Sequence, residues 1–187
     1  MAEPTASLQG QLLVATPPLA DPNFDGTVVL VLEHGADGAL GLVLNRPSAT
    51  PLTEVLPEWA ALASAPGTVF EGGPVATESV IALGRGGPAE ATEGWVPVLG
   101  DIGSVDLGRD PLDLGVPFTD LRVWVGYAGW APGQLEDELD AQAWFTVLGT
   151  ASDIFSASPE HLWRDVLRRQ RGRVAMFANY PEDTTTN

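Results

Sequence analysis

The segment from Leu121 to Leu139 constrains the fold more than any other stretch. Leu121-Arg122-Val123-Trp124-Val125-Gly126 is rich in β-branched and aromatic residues and predicts a strand on a pleated, half-buried surface. Gly126, Gly129 and Gly133, with Pro132 before the last, predict a glycine-rich aromatic turn after it. Leu135 and Leu139 lie one helical turn apart, so the next residues predict a helix with one face toward a core. Glu136, Asp137, Glu138 and Asp140 sit near its N-terminal end, where the helix dipole favours negative charge. Such a corner needs a sheet with a helix laid on it. Tyr127, Gly129, Trp130, Gln134 and Glu136 rim it as a candidate site; the plainer reading is a capped, solvated acidic helix.

The rest of the chain supplies that sheet. Gln11–Ala15 reads as a strand stopped by Thr16-Pro17-Pro18, and the Asp21–Gly26 turn carries one aromatic, Phe24, expected to plug the core beneath it. Thr27–Leu32 and Ala39–Leu44 are continuous apolar runs joined by Gly35-Ala36-Asp37-Gly38, which predicts a buried antiparallel hairpin. In that hairpin His34 sits at the turn, and Asn45-Arg46 returns beside Gly26-Thr27. A compact Glu33–His34–Arg46 site is therefore not expected. Leu52, Val55, Leu56 and Trp59 have helical spacing, with Pro57 splitting the helix. Strands are predicted at Thr68–Phe70, Val80–Leu83, Trp95–Leu99, Val105–Leu107, Ala143–Leu148 and Val174–Phe177, with the pair at 95–107 at the sheet edge. Gly84–Gly94 reads as a loop, Asp110–Leu114 as one helical turn, and Ser158-Pro159 as the start of a helix reaching Gln170. One domain over residues 9–179 is expected, with polar tails at 1–8 and 180–187.

Composition narrows the chemistry. Without cysteine, thiolate nucleophiles, disulfides and cysteine zinc sites are excluded, and His34 and His161 alone cannot build a multi-histidine metal site. No metal or cofactor is implied. No apolar run approaches membrane-spanning length and no leader is evident, so a cytoplasmic protein is expected. Nine arginines, no lysine and 25 acids give a net charge of −16, a field that repels nucleic acid and anionic membrane. The local exception is a cluster of five arginines from Arg164 to Arg173, with Arg164, Arg168 and Arg171 as a candidate anion patch. Its plainer reading is an exposed helix whose late cations oppose the dipole and pair with nearby acids.

No nucleophile elbow, phosphate loop or metalloprotease helix is present. Arg46, fixed by Pro47 at a strand end, is a candidate anion ligand, with a structural carboxylate as the alternative. Three strand-end motifs combine into a candidate surface for a protein or small-molecule partner: Asn45-Arg46-Pro47, Gly72-Gly73-Pro74 and Tyr127 to Glu136. The favoured reading is a non-enzymatic binding or regulatory module. The alternatives are a hydrolase-like enzyme with Glu136 or Glu71 as base and Arg46 as anion binder, and nucleic-acid binding through the 164–173 arginines.

In order along the chain stand Ala15-Thr16-Pro17 with Asp21-Pro22-Asn23-Phe24, Val28-Val29-Leu30 with Glu33-His34, Gly38 through Pro47, Gly72-Gly73-Pro74-Val75, and Gly126-Tyr127-Ala128-Gly129-Trp130 with Gly133-Gln134-Leu135-Glu136. From about Gly10 to about Phe177 this pattern closely resembles the YqgE/AlgH family of bacterial proteins. The resemblance implies an α+β fold, a small closed or bifurcated, mostly antiparallel sheet assembly with helices packed outside. It implies a bacterial cytosolic protein with no established enzymatic activity. The family name comes from a proposed role in regulating alginate synthesis, and members are often labelled transcriptional regulators. No helix-turn-helix is visible here, and the net charge of −16 weighs against that label. Gly26-Thr27 stands where relatives commonly carry a basic residue and serine, so a site built on that serine is not carried over to this chain.

Overall fold

A computed structural model describes residues 6–17, 19 and 21–180. The apolar runs become a curled, mostly antiparallel sheet. β1 (Gln11–Ala15), β2 (Val28–Gly35) and β3 (Gly38–Val43) form its first half, and β2 and β3 are the predicted hairpin. β4 (Pro47–Pro51) leads into two short helices, α1 (Leu52–Val55) and α2 (Pro57–Ala60), split at Pro57 as the spacing predicts. β5 (Thr68–Glu71), β6 (Val75–Arg85), β7 (Trp95–Leu99), β8 (Ile102–Val105) and β9 (Asp120–Trp130) follow. Then come α3 (Gln134–Asp140), β10 (Trp144–Leu148), α4 (Ala151–Ile154), a 3₁₀ turn at Pro159–His161 running into α5 (Leu162–Arg168), and α6 (Arg173–Met176).

The strand order is β10–β1–β2–β3–β9–β6–β8–β7, with β4 on β5 and β5 parallel to β9. β3 pairs with β9 at Ala128–Trp130, and β5 pairs with it at Trp124–Val125, so the sheet divides along one long strand. Gly72 stitches the division: Val43 N–H donates to Gly72 O and Gly72 N–H donates to Val125 O, both at 2.9 Å. A Cβ on Gly10, just before β1, would lie 3.3 Å from Leu99 at the end of β7, so the curl brings the edge strand β7 against the start of β1.

The predicted turn at Gly126–Trp130 is instead the second half of β9. Burial shows why. Up to Val125 the even residues of β9 face the cluster around Trp124 and Phe70, and the odd ones face the cluster around Trp59 and Trp95. After Gly126 the parity reverses: Tyr127 packs on the first cluster, while Ala128 and Trp130 join a third. Gly126, at φ +68°, is a bulge that flips the strand, and a side chain there would strike Gly73 O at 2.5 Å. The turn lies later, at Ala131–Gly133.

Other expectations shift too. Val174–Phe177 is not a strand: α6 and a 3₁₀ turn occupy it, and Phe177 packs on Phe145 with ring centroids 5.3 Å apart. Asp110–Leu114 is a hydrogen-bonded turn, not a helix. β8 lies inside the sheet between β6 and β7. Ser158 makes no side-chain cap; Thr150 and Asp153 form a capping box on α4 instead, a helix the sequence pattern did not reveal. Phe24 does plug its turn, stacked on Trp130 and edge-on to Trp144. Of the expected tails, Ser7, Leu8 and Tyr180 are among the described residues and are hydrogen-bonded; residues 1–5 and 181–187 lie outside them. No helix among the described residues is long and apolar enough to cross a membrane.

Candidate functional site

The hairpin places Asn45 beside Gly26, as its length requires. The Asn45 amide accepts from Val28 N–H at 3.0 Å and donates to Gly26 O at 2.9 Å, locking the open end of the hairpin. Arg46 reaches over the preceding turn. Its guanidinium donates to the carbonyls of Asn23, Pro22 (3.2 Å) and Asp25 (3.5 Å). This arginine clamps a turn, and among the described residues no carboxylate lies within salt-bridge reach of it.

Gly72 and Gly73 are set by backbone proximity. A Cβ on Gly72 would sit 2.3 Å from Gly126 O, and one on Gly73 would sit 2.2 Å from the Tyr127 carbonyl carbon. The Gly72-Gly73-Pro74 motif therefore lets two strands touch. Gly73 and Pro74, with Asn23, Arg46, Glu71, Thr77 and Val125, also line a cleft of about 310 Å³ that holds several polar side chains.

That cleft shares Glu71 and Val125 with a larger groove of about 660 Å³. Val69, Val80, Val123 and Val125 line the groove together with Val55 of α1, the following Leu56, and Leu107-Gly108. Val55 and Val80 are half exposed (51% and 52%), an unusual state for aliphatic residues facing one depression. Between Val75 and Val80 the pairing of β6 with β9 slips, so residues 76–79 arch away from the sheet beside the cleft; Ala76 takes φ +45° there. The sequence offered alternating valines but no way to tell that this face stays uncovered.

The Tyr127-to-Glu136 group lies elsewhere. Trp130 pairs with Ala39, six residues before Asn45, about 20 Å along the strand. Trp130 is buried, and its indole N–H, with that of Trp144, donates to Glu138 at 2.9 and 2.8 Å. Gln134 holds the other Glu138 oxygen at 3.0 Å and accepts from Ala131 N–H. Glu136 meets His34 Nε2 at 2.9 Å. His34 Nδ1 accepts from Leu8 N–H, which fixes the proton on Nε2 and makes the ring the donor to Glu136. The Glu136 backbone N–H and this ring hold its carboxyl below the usual range. Tyr127 is half-buried against the interior, and Gly129 is exposed opposite Leu40. The structure thus brings Arg46, Gly73 and Pro74 into one cleft and puts Trp130, Gln134 and Glu136 in a separate network about Glu138 and His34.

The arginine patch disperses. Arg169 forks onto Asp153 and donates to Leu148 O, Arg168 lies 3.8 Å from Asp165, and Arg164 donates to Tyr180 O. Arg171 is exposed beyond the end of α5. Sequence reading passed over Arg122, a charge inside an apolar strand. It is 2% exposed, lies 4.2 Å over the Phe70 ring, and donates to the carbonyls of Ala65 (2.5 Å), Ile154 (3.0 Å) and Ser156 (2.8 Å). Burial pulls it down to about 10, still charged at neutral pH.

A family model described as AlgH-like matches residues 12–175. A "UPF0301 protein" of Streptomyces avermitilis is 52% identical, over 97% of this chain and 96% of its own, and one of Thermobifida fusca is 42% identical over 97% and 96%. The crystal structure of protein DIP2367 from Corynebacterium diphtheriae superposes with a TM-score of 0.87 at 29% identity, covering 95% of both chains. The solution structure of the AlgH protein from Pseudomonas aeruginosa gives 0.68 at 30% identity, covering 97% of this chain and 98% of that one. Matched by the family model over residues 12–175 and by a relative of 52% identity over nearly its whole length, the chain belongs to the AlgH-like, UPF0301 family.

Proposed function

We propose that this protein is a non-enzymatic binding module whose groove takes an extended, apolar polypeptide segment carrying a basic residue. One observation carries the reading: an apolar groove and a cleft lined by Asn23, Arg46, Glu71 and Thr77 share Glu71 and Val125. An extended chain follows such a path, with side chains on the valine floor and its backbone passing the cleft. Glu71 is exposed at the junction and has no cation within salt-bridge reach among the described residues. With the net charge of −16, it favours a positive group there. Arg46, engaged with three carbonyls, supports the cleft rather than an anionic substrate. Of the two candidate bases of the hydrolase alternative, Glu136 is held below the ordinary carboxylate range and lies outside the cleft, whereas Glu71 shares the cleft with Arg46, whose donors are taken by carbonyls. The dispersal of the arginines likewise gives the nucleic-acid alternative no continuous face.

Selection of a displayed random-peptide library on the wild-type protein, counter-selected on Val80→Asp, tests the proposal. Enriched peptides should combine alternating aliphatic residues with lysine or arginine. They should lose binding to Val55→Asp and to Val80→Asp, whose half-exposed positions leave folding intact. Enrichment of acidic sequences, or none that distinguishes Val80→Asp, overturns it. Binding of apolar amines in place of any peptide would also reject the polypeptide as occupant.

A further inference from the structure

A cavity of about 360 Å³ lies on another side of the molecule, between the end of α3, β10 and α6, and shares no lining residue with the groove. Its aromatic wall is Phe145 and Phe177, which are in contact; Trp144, the neighbour of Phe145 on β10, turns its ring to the opposite face, against Phe24, Trp130 and Glu138. Its polar groups are few. Thr16 points its hydroxyl at the carbonyls of Gln142 (2.9 Å) and Ala143 (3.1 Å). Gln142 stands at φ +60°, a conformation non-glycine residues seldom adopt, so the Leu139–Ala143 turn is held in place by its surroundings. Its side-chain amide makes no hydrogen bond among the described residues.

Arg173 completes the lining. The chain has 25 acids for nine arginines, and Arg85, Arg109, Arg168 and Arg169 each sit against at least one acid. Arg122 and Arg46 are engaged with backbone carbonyls. Arg173, like the exposed Arg171, has neither an acid within salt-bridge reach nor a hydrogen bond among the described residues, and of the two it is Arg173 that lines this cavity. It shares this lining with Phe145, Phe177 and Gln142, whose side-chain amide is also unengaged among the described residues.

We propose that this cavity is a second binding site, for a planar aromatic ligand bearing an anionic group. The ring lies against Phe145 and Phe177, offset or edge-on as aromatic pairs prefer. The anion meets the planar guanidinium of Arg173, whose paired donors match a carboxylate or phosphate, and the Gln142 amide donates alongside. The volume suits one or two fused rings. Because the overall field repels anions, neither the ring nor the charge suffices alone: the site selects ligands that carry both.

Calorimetric titration with two matched pairs tests this, indole-3-acetate against indole-3-acetamide and adenosine monophosphate against adenosine. The wild type should bind the anion of at least one pair about tenfold more tightly than its neutral partner, about 1.4 kcal/mol. Whichever pair shows the preference distinguishes a carboxylate from a phosphate. In Arg173→Gln, at an exposed position, the preference should vanish while the neutral compound binds as before. Phe177→Ala should weaken both members. Equal binding of anion and neutral partner in both pairs overturns the proposal, as does a preference that survives Arg173→Gln. Amide shifts that map to the groove instead of to Gln142, Phe145 and Phe177 overturn it as well.

Discussion

Replacing Arg122 with methionine tests whether a buried cation organises this core or is merely tolerated by it. The structure sets the opposing terms. Burial lowers the guanidinium from its ordinary value to about 10, so keeping the charge inside costs about 3 kcal/mol, which methionine recovers. Against this, three carbonyls lose a charged donor, and Ile154 O loses it in a buried setting; an orphaned acceptor costs about 1–3 kcal/mol. The cation–π contact with Phe70 is worth up to about 2 kcal/mol when desolvated. Ala65 and Ser156 are only partly buried and recover some hydration, so the net destabilisation should be about 2–4 kcal/mol. For a chain of this size that lowers Tm by roughly 5–15 °C. Urea unfolding followed by circular dichroism, with calorimetry for Tm, measures it. Arg122→Lys should lose nearly as much, because one ammonium cannot span carbonyls from the 65 loop and from the end of α4. An Arg122→Met protein as stable as wild type, or more stable, would refute the reasoning and show that desolvation dominates, as it does for some buried ion pairs.

Gly73→Ala should destabilise by roughly 3 kcal/mol or more, since its Cβ would lie 2.2 Å from Tyr127 backbone at φ +152°, and a stable soluble variant by chemical denaturation would contradict this. Glu138→Leu leaves the indole N–H groups of Trp130 and Trp144 without an acceptor and should cost about 2–4 kcal/mol with altered near-ultraviolet dichroism, whereas Glu138→Gln should cost less. Glu136 has a folded pKa below its unfolded value, so its contribution is complete above about pH 4.5 and is lost as pH falls through the folded value. Between about pH 5 and 3 the Tm of wild type should therefore fall more steeply than that of Glu136→Gln, and parallel curves would contradict the assignment.

Local patterns carried much of this fold. The hairpin length alone placed Asn45 against Gly26 and His34 at the turn. Pro57 split its helix, and Phe24 found the core beneath its own turn. Glycine was the misleading signal. Gly126 and Gly129 read as a turn because glycine permits one, whereas here Gly126 supplies a bulge and room for the backbone of Gly73. Val174–Phe177 has strand composition but becomes helical where Phe177 docks on Phe145, a tertiary preference that no local window contains. The His34–Glu136 pair spans 102 residues, and the groove depends on a sheet face left uncovered; neither leaves a local trace. Arg122 did leave one: an arginine between leucine and valine in an apolar strand must find acceptors inside.

The groove itself is tested most directly by an NMR titration with two acetylated, amidated pentapeptides. One has a lysine followed by alternating leucine and valine; the other has glutamate in place of the lysine. The lysine peptide should shift the amides of Val69, Glu71, Val80, Val123 and Val125 and bind at least about threefold more tightly, within the range of a partly exposed ion pair. Glu71→Gln should erase that difference, and Val80→Asp should weaken both peptides. Equal affinities in the wild type, or shifts that avoid the valine floor, would contradict the groove as a site for an apolar, basic segment.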